Sequence, residues 1–305
     1  MNLPWGNMMQ SADEYLQHAY SIPGHLPALP LPDEPFLSKW QEAKGSAVLD
    51  FLASGLGLSA ASFAWRQTDD LKISFVPTIG GKLPVIDTGC HEDFRTMEAV
   101  LNGRKEKPEL PLTVNAFTID ARAASIFHQR VILLNRAPYS NIPAETLGLS
   151  EAEWLERSHS LRLAHECVHY ATLRLLGSMR NHALDEIAAD TIGQIAAFGD
   201  FDPDRQRLFF GLTKGGDACT GRLTFYCRKV AADEQSKVYQ AVDRVLDCVA
   251  DEVKHLSAKK AKRTEIFLAL VGKSIAERAG ANSAHPATAP AHPCASPDKN
   301  GETTN

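Results

Sequence analysis

The chain is short of the features that commit a sequence to an unusual environment. Cysteine is scarce: Cys90, Cys167, Cys219, Cys227, Cys248 and Cys294 are scattered over 305 residues and form no C-x-x-C pair. That excludes a disulfide-framed miniprotein and reads as reduced thiols, so the expected location is cytoplasmic. No run reaches the ~18 apolar residues that a membrane span needs. The most apolar window, residues 48–65, is broken by Asp50, Ser54, Ser59 and Ser62. Charge of one sign is not in excess either. Lys and Arg number 32, Asp and Glu 37, giving a net charge of −5 and a pI near 6.1. Neither nucleic acid nor an anionic membrane is therefore expected as a partner. The opening Met-Asn-Leu-Pro-Trp-Gly holds no basic residue and no apolar stretch, unlike a secretory signal. What is left is 44% hydrophobic and 23% charged, an average globular composition long enough to bury a sizeable core.

The pattern along the chain is uneven. Five prolines fall within residues 23–35, which reads as an extended connector, so residues 1–35 are expected to be an N-terminal arm and linker. Phe36, Trp40, Val48, Phe51 and Leu52 suggest one or two helices. Three strands are expected at residues 71–76, 112–119 and 130–134, with a charged loop over 100–111. After Pro143 the pattern turns helical. Ser150 and Glu153 form a capping box opening a helix that Gly177 should end. Asn181 is the expected cap of a second helix ending at Gly199, and the short link makes the two an αα-hairpin. An apolar stripe from Val238 to Leu256 marks a long helix, and a last one covers residues 262–278. Residues 280–305, rich in Ala, Pro, Ser, Thr and Asn, read as a disordered tail. The folded part, residues 36–279, is expected to be one domain.

One short segment carries chemistry. His165-Glu166-Cys167-Val168-His169 is an H-E-x-x-H motif within the first helix of the hairpin. Residues four apart share a helix face, so both imidazoles can point at one ion. Glu166 projects beside that face, where it can reach a metal-bound water without ligating the metal. The bland alternative is an exposed polar face with two ordinary histidines. The second helix reads Asp185-Glu186-Ile187-Ala188-Ala189-Asp190. A catalytic zinc needs three protein ligands and an open fourth position, and Glu186 on the neighbouring helix can supply the third. Asp190, one turn on, can accept the free ring N–H of a ligating histidine.

This arrangement resembles the gluzincin branch of zinc metallopeptidases, in which H-E-x-x-H is followed by a helix bearing E-x-x-[AS]-D, here Glu186, Ala189 and Asp190. The resemblance implies a zincin-like α+β fold: a small N-terminal sheet, a metal-binding helix pair and a mainly helical C-terminal part. It implies Zn²⁺ as cofactor, with His165, His169 and Glu186 as ligands, Glu166 as general base and Asp190 as partner of a ligand histidine. The metzincin pattern fails, since it needs Gly at 172 and His at 175, where the chain has Thr172 and Leu175. The stretch from Arg130 to Gly193 is also similar to an uncharacterised bacterial family with an H-E-C-x-H-Y core.

The expected activity is hydrolysis of an amide or related carbonyl, so the expected partner is a peptide or small-molecule substrate. By analogy with related peptidases, the strand ending near Leu134 would be the edge that holds a peptide. Alternatives are a metalloenzyme of the same scaffold acting on a small molecule or modified peptide, and a non-catalytic protein whose metal ties two helices together. The intact Glu166 argues against the last, because a structural site needs no base. Candidate oxyanion donors are His159, Tyr170, Arg180, His182, Arg222 and Tyr226. Elsewhere, the G-x-G-like stretch at residues 54–60 reads as a helix-end turn. The basic run at 259–263 reads as a solvated interhelix face, and Cys167 as a core thiol. Cys90-His91 has no partner at ligand spacing.

Overall fold

A computed structural model describes residues 9–43, 47–121 and 129–282. The fold is α+β: a small four-stranded sheet and a larger helical layer. In chain order the elements are helices α1 (Ala12–Leu16), α2 (Leu37–Gln41) and α3 (Val48–Leu56), then strands β1 (Lys72–Thr78) and β2 (Gly81–Thr88). Helix α4 (His91–Leu101) and strands β3 (Ala116–Ala121) and β4 (Gln129–Asn135) follow. The remainder is helical: α5 (Glu151–Leu176), α6 (Ala183–Phe198), α7 (Pro203–Phe210), α8 (Leu223–Tyr226), α9 (Gln235–Ala258), α10 (Arg263–Val271) and α11 (Ile275–Asn282).

The sheet order is β1-β2-β4-β3, with β2 and β4 parallel and both outer pairs antiparallel. Val131, Ile132, Leu133 and Leu134 of β4 are fully buried, as a nearly continuous apolar run requires. β4 is thus an internal strand and offers no free edge. The expectation of an edge near Leu134 is therefore corrected: the outer strands of the described sheet are β1 and β3. β2 and α4 are additions to the sequence reading. Pro84 breaks the strand signal of β2, and the register shows how the fold tolerates it. Pro84 lies opposite Phe75 of β1, and pairing with β4 begins only at Val85. The missing N–H of Pro84 therefore faces a side that is still unpaired.

Helix α5 runs between two hydrophobic cores. Val168 and Ala171 face the helical core, which also holds Ile187, Val242, Leu246 and Phe267. Tyr170, with Leu163 and Cys167, faces the sheet core around Ile86, Phe94 and Leu133. Arg162, buried on the same helix, donates to the carbonyls of Asn135, Ala137 and Pro138 and so ties α5 to the end of β4. The expected capping box is half present. Ser150 Oγ accepts from the Glu153 N–H at 3.3 Å, but the Glu153 carboxylate pairs with Arg157 instead of reaching back.

The described part of the expected arm is packed onto the fold. Ala12, Tyr15 and Leu16 of α1 are buried in the helical core. Glu34 accepts from Arg130 and Tyr170. Residues 262–278 are two helices, because Ser274 starts a new cap: its hydroxyl accepts from Glu277 N–H while the Glu277 carboxylate takes the Ser274 N–H. Residues 283–305, most of the expected tail, lie outside the described residues. Among the described residues no helix is long and apolar enough to cross a membrane.

Helices α5 and α6 are antiparallel neighbours, and their approach is set by Gly193. A Cβ there would sit 2.8 Å from the Leu161 carbonyl oxygen. Gly193→Ala is therefore expected to push the pair apart and to destabilise the protein by about 1–3 kcal/mol. Chemical denaturation checks this; an unchanged midpoint would contradict it.

Candidate metal centre

The helix pair brings His165, His169 and Glu186 to one point. His165 and His169 face each other through Nε2 at 2.9 Å. Glu186 Oε2 lies 3.6 Å from His165 Nε2, and its Oε1 lies 3.4 Å from His169 Nε2. All three side chains are buried. Two donors each about 2.0–2.1 Å from a tetrahedral ion lie roughly 3.3–3.5 Å apart. Two of the three separations are close to that spacing, and the histidine pair needs a small opening.

Asp190 defines how His165 is presented. Its carboxylate is fully buried and takes donors from four elements. His165 Nδ1 lies 2.7 Å from Oδ1, where the Tyr139 hydroxyl also donates at 2.5 Å. Gln206 Nε2 donates to Oδ2 at 2.5 Å, and Arg222 forms an ion pair with the same oxygen. Burial alone would favour the neutral acid, but Arg222, His165 and Gln206 hold Asp190 ionised, well below the usual carboxylate range. An ionised Asp190 accepts the Nδ1–H of His165. That tautomer leaves the Nε2 lone pair pointing at His169 and Glu186, as a metal ligand must.

His169 differs. Burial disfavours its charge, yet the Glu186 carboxylate outweighs that and lifts its pKa to about 9. Its Nδ1 is buried with no hydrogen-bond partner among the described residues. Glu186 itself is anchored by Arg222 at 3.2 Å, and burial together with the charge of Glu186 keeps the Tyr226 phenol protonated.

Glu166 lies beside the three. Thr118 of β3 donates to its Oε2 at 2.8 Å. Oε1 accepts no hydrogen bond among the described residues. The β3 edge strand thus reaches the helix motif through one hydroxyl. Sequence reasoning missed Thr118, Tyr139 and Gln206, which lie on separate elements with no local signal linking them to the motif.

The structure sorts the candidate oxyanion donors. His159 Nε2 pairs with Asp87 at 2.7 Å. Tyr170 bonds Glu34 and Arg174 on the sheet side of α5. Arg180 approaches His18, and His182 rather than Asn181 caps α6. Arg222 and Tyr226 remain, and Arg222 is held on Glu186 and Asp190.

A second group, His18, His182 and Asp185, also gathers three donor types. Its chemistry does not suit a metal. His182 Nδ1 accepts the Leu184 N–H at 3.0 Å, and its Nε2 donates to the Tyr15 carbonyl at 2.9 Å, so no lone pair is left. Its ring stacks on Tyr15 at 3.9 Å. The remaining histidine and carboxylate make too few ligands.

Residues 121–277 match a family described as a family of unknown function, DUF7005. The match covers just over half of the chain, including the whole helix pair and Arg222. The chain belongs to this family. No curated protein and no solved structure matches it. The DUF7005 match omits β1, β2 and α4, so the sheet that supplies Thr118 lies largely outside it.

Burial drives the His182 pKa down to about 3 and that of neighbouring His18 to about 4. Both rings are neutral when folded but gain protons when unfolded, from about pH 6.5 downward. Stability is then complete above about pH 6.5 and is lost as pH falls toward 3, with a slope of at most about 1.4 kcal/mol per pH unit per group. His182→Asn keeps a capping side chain and does not titrate. Its unfolding free energy should fall less steeply between pH 6.5 and 4 than that of the parent, and an equal slope would contradict the assignment.

Proposed function

We propose that this DUF7005 protein is a zinc-dependent hydrolase, most simply metallopeptidase-like, on a zincin-like α+β scaffold. The observation that carries the reading is the convergence of His165 Nε2, His169 Nε2 and the Glu186 carboxylate, whose Oε2 lies 3.6 Å from the first and whose Oε1 lies 3.4 Å from the second, with the tautomer of His165 set by Asp190. Three ligands leave a fourth position open, as a catalytic site needs and a structural site does not.

His165, His169 and Glu186 would hold a zinc ion, which would supply Lewis acidity toward a carbonyl oxygen and toward water. The protein's own groups do the rest. Glu166, fixed through Oε2 by Thr118, has Oε1 free to take a proton from water and return it to the leaving group. Arg222 helps to keep Glu186 charged and oriented. An extended substrate can pair with the outer side of β3, which would set its carbonyl beside Thr118 and Glu166.

Elemental analysis of purified protein should find about one zinc per chain. His165→Ala and Glu186→Gln should lose it. Glu166→Gln should retain zinc and lower turnover of a mixed peptide library by about 10²–10⁴-fold. Thr118→Val should also retain zinc and lower turnover about tenfold, the scale of one hydrogen bond to a charged group. Protein that takes up no zinc would overturn the metal reading. Full activity of Glu166→Gln would overturn the mechanism.

A further inference from the structure

The side of α5 and α6 turned away from the metal centre borders a separate cavity of about 410 Å³. Its lining is mostly carbon: Cys167 of α5, Ile192 of α6, Val76 of β1 and Phe267 of α10 are among its walls. The volume falls in the range, about 300–1,000 Å³, that holds small organic ligands. Cys167 does not supply a nucleophile here, because burial pushes its thiol up to about 12. Thr78, whose hydroxyl is already donated to the Gly81 carbonyl, and Ser160 are polar residues among these walls.

The α10 end is different. Arg263 and Thr264, at the start of α10, also line the cavity. Arg263 is exposed and makes no ion pair or hydrogen bond among the described residues. It ends the run Lys259-Lys260-Ala261-Lys262-Arg263, whose lysine side chains are likewise exposed and unpaired among the described residues. The nearest acid in sequence, Glu265, is turned back onto the Lys262 backbone N–H at 2.6 Å. The N-terminal end of α10 adds its partial positive charge. In an acidic chain, an unpaired Arg263 thus lines a mostly apolar cavity, with three further exposed cations just before it in sequence.

We propose that this cavity binds a single-chain amphiphile with a carboxylate head, its alkyl chain in the cavity and its head on Arg263. Carbon walls reward burial of the chain, and the guanidinium recognises a carboxylate through a two-pronged hydrogen bond. The site is independent of the metal centre, because the two use opposite faces of α5.

The test uses the full chain and three probes of equal chain length: decanoate, decanol and decyltrimethylammonium, titrated by calorimetry. Decanoate should saturate a single site. Decanol should bind at least about tenfold more weakly, and the cation should give no heat. Arg263→Glu, at an exposed position, should keep the unfolding midpoint and weaken decanoate by about tenfold or more. Ala196→Trp fills the cavity from a half-buried position and should abolish binding of decanoate with the midpoint held. Absence of saturable decanoate binding would overturn the proposal. So would equal affinity for all three probes, or unchanged affinity in both variants.

Discussion

The structure depends on one buried carboxylate. Asp190 has no solvent contact, and a charge there is tolerable only because four elements send donors to it. His165 comes from α5, Tyr139 from the segment after β4, Gln206 from α7 and Arg222 from the start of α8. Each of those elements is tied to α6 by the hydrogen bond or ion pair it makes with Asp190. The cluster therefore sets the tautomer of His165 and also fixes the positions of α7 and α8 against the helix pair. Removing any one donor leaves a buried group underpaired, so site geometry and stability are linked.

The second constraint is that α5 has to serve three surroundings at once. One face carries His165 and His169, a second meets the sheet core through Tyr170, and a third meets the helical core through Val168 and Ala171. Arg162 fixes it lengthwise by gathering three carbonyls at the end of β4. Gly193 lets α6 come close enough for Glu186 and Asp190 to reach the two histidines. Gly221 plays the same part for Arg222, since a Cβ there would meet the Phe210 carbonyl at 2.4 Å. Small residues at these two contacts are what allow large charged ones to share one buried point.

Much of this was legible in the sequence where the geometry is local. The pair His165 and His169 follows from four-residue helix spacing, and Glu186 with Asp190 follows from the same rule on a helix joined by a short link. Gly177 and Gly199 end their helices with left-handed backbone, as expected. What was not legible depends on contacts between distant segments. Thr118 meets Glu166 across 48 residues, and Tyr139 meets Asp190 across 51. No local pattern encodes either. β2 was hidden by Pro84, whose cost disappears only once the register with β4 is known. Tyr15 is buried under α6 because its hydroxyl receives the Ala183 N–H and His182 stacks on its ring, which a short helix in an aromatic-polar segment does not announce.

The central claim is that His165, His169 and Glu186 form one metal site with an open position. Zinc-edge X-ray absorption on the zinc-loaded protein tests it most directly. The account predicts a four-coordinate first shell of nitrogen and oxygen only, with two imidazole nitrogens at about 2.0–2.1 Å and oxygens at about 2.0–2.2 Å. A sulfur scatterer at about 2.3 Å, or a shell without imidazole, would place the metal elsewhere and contradict it.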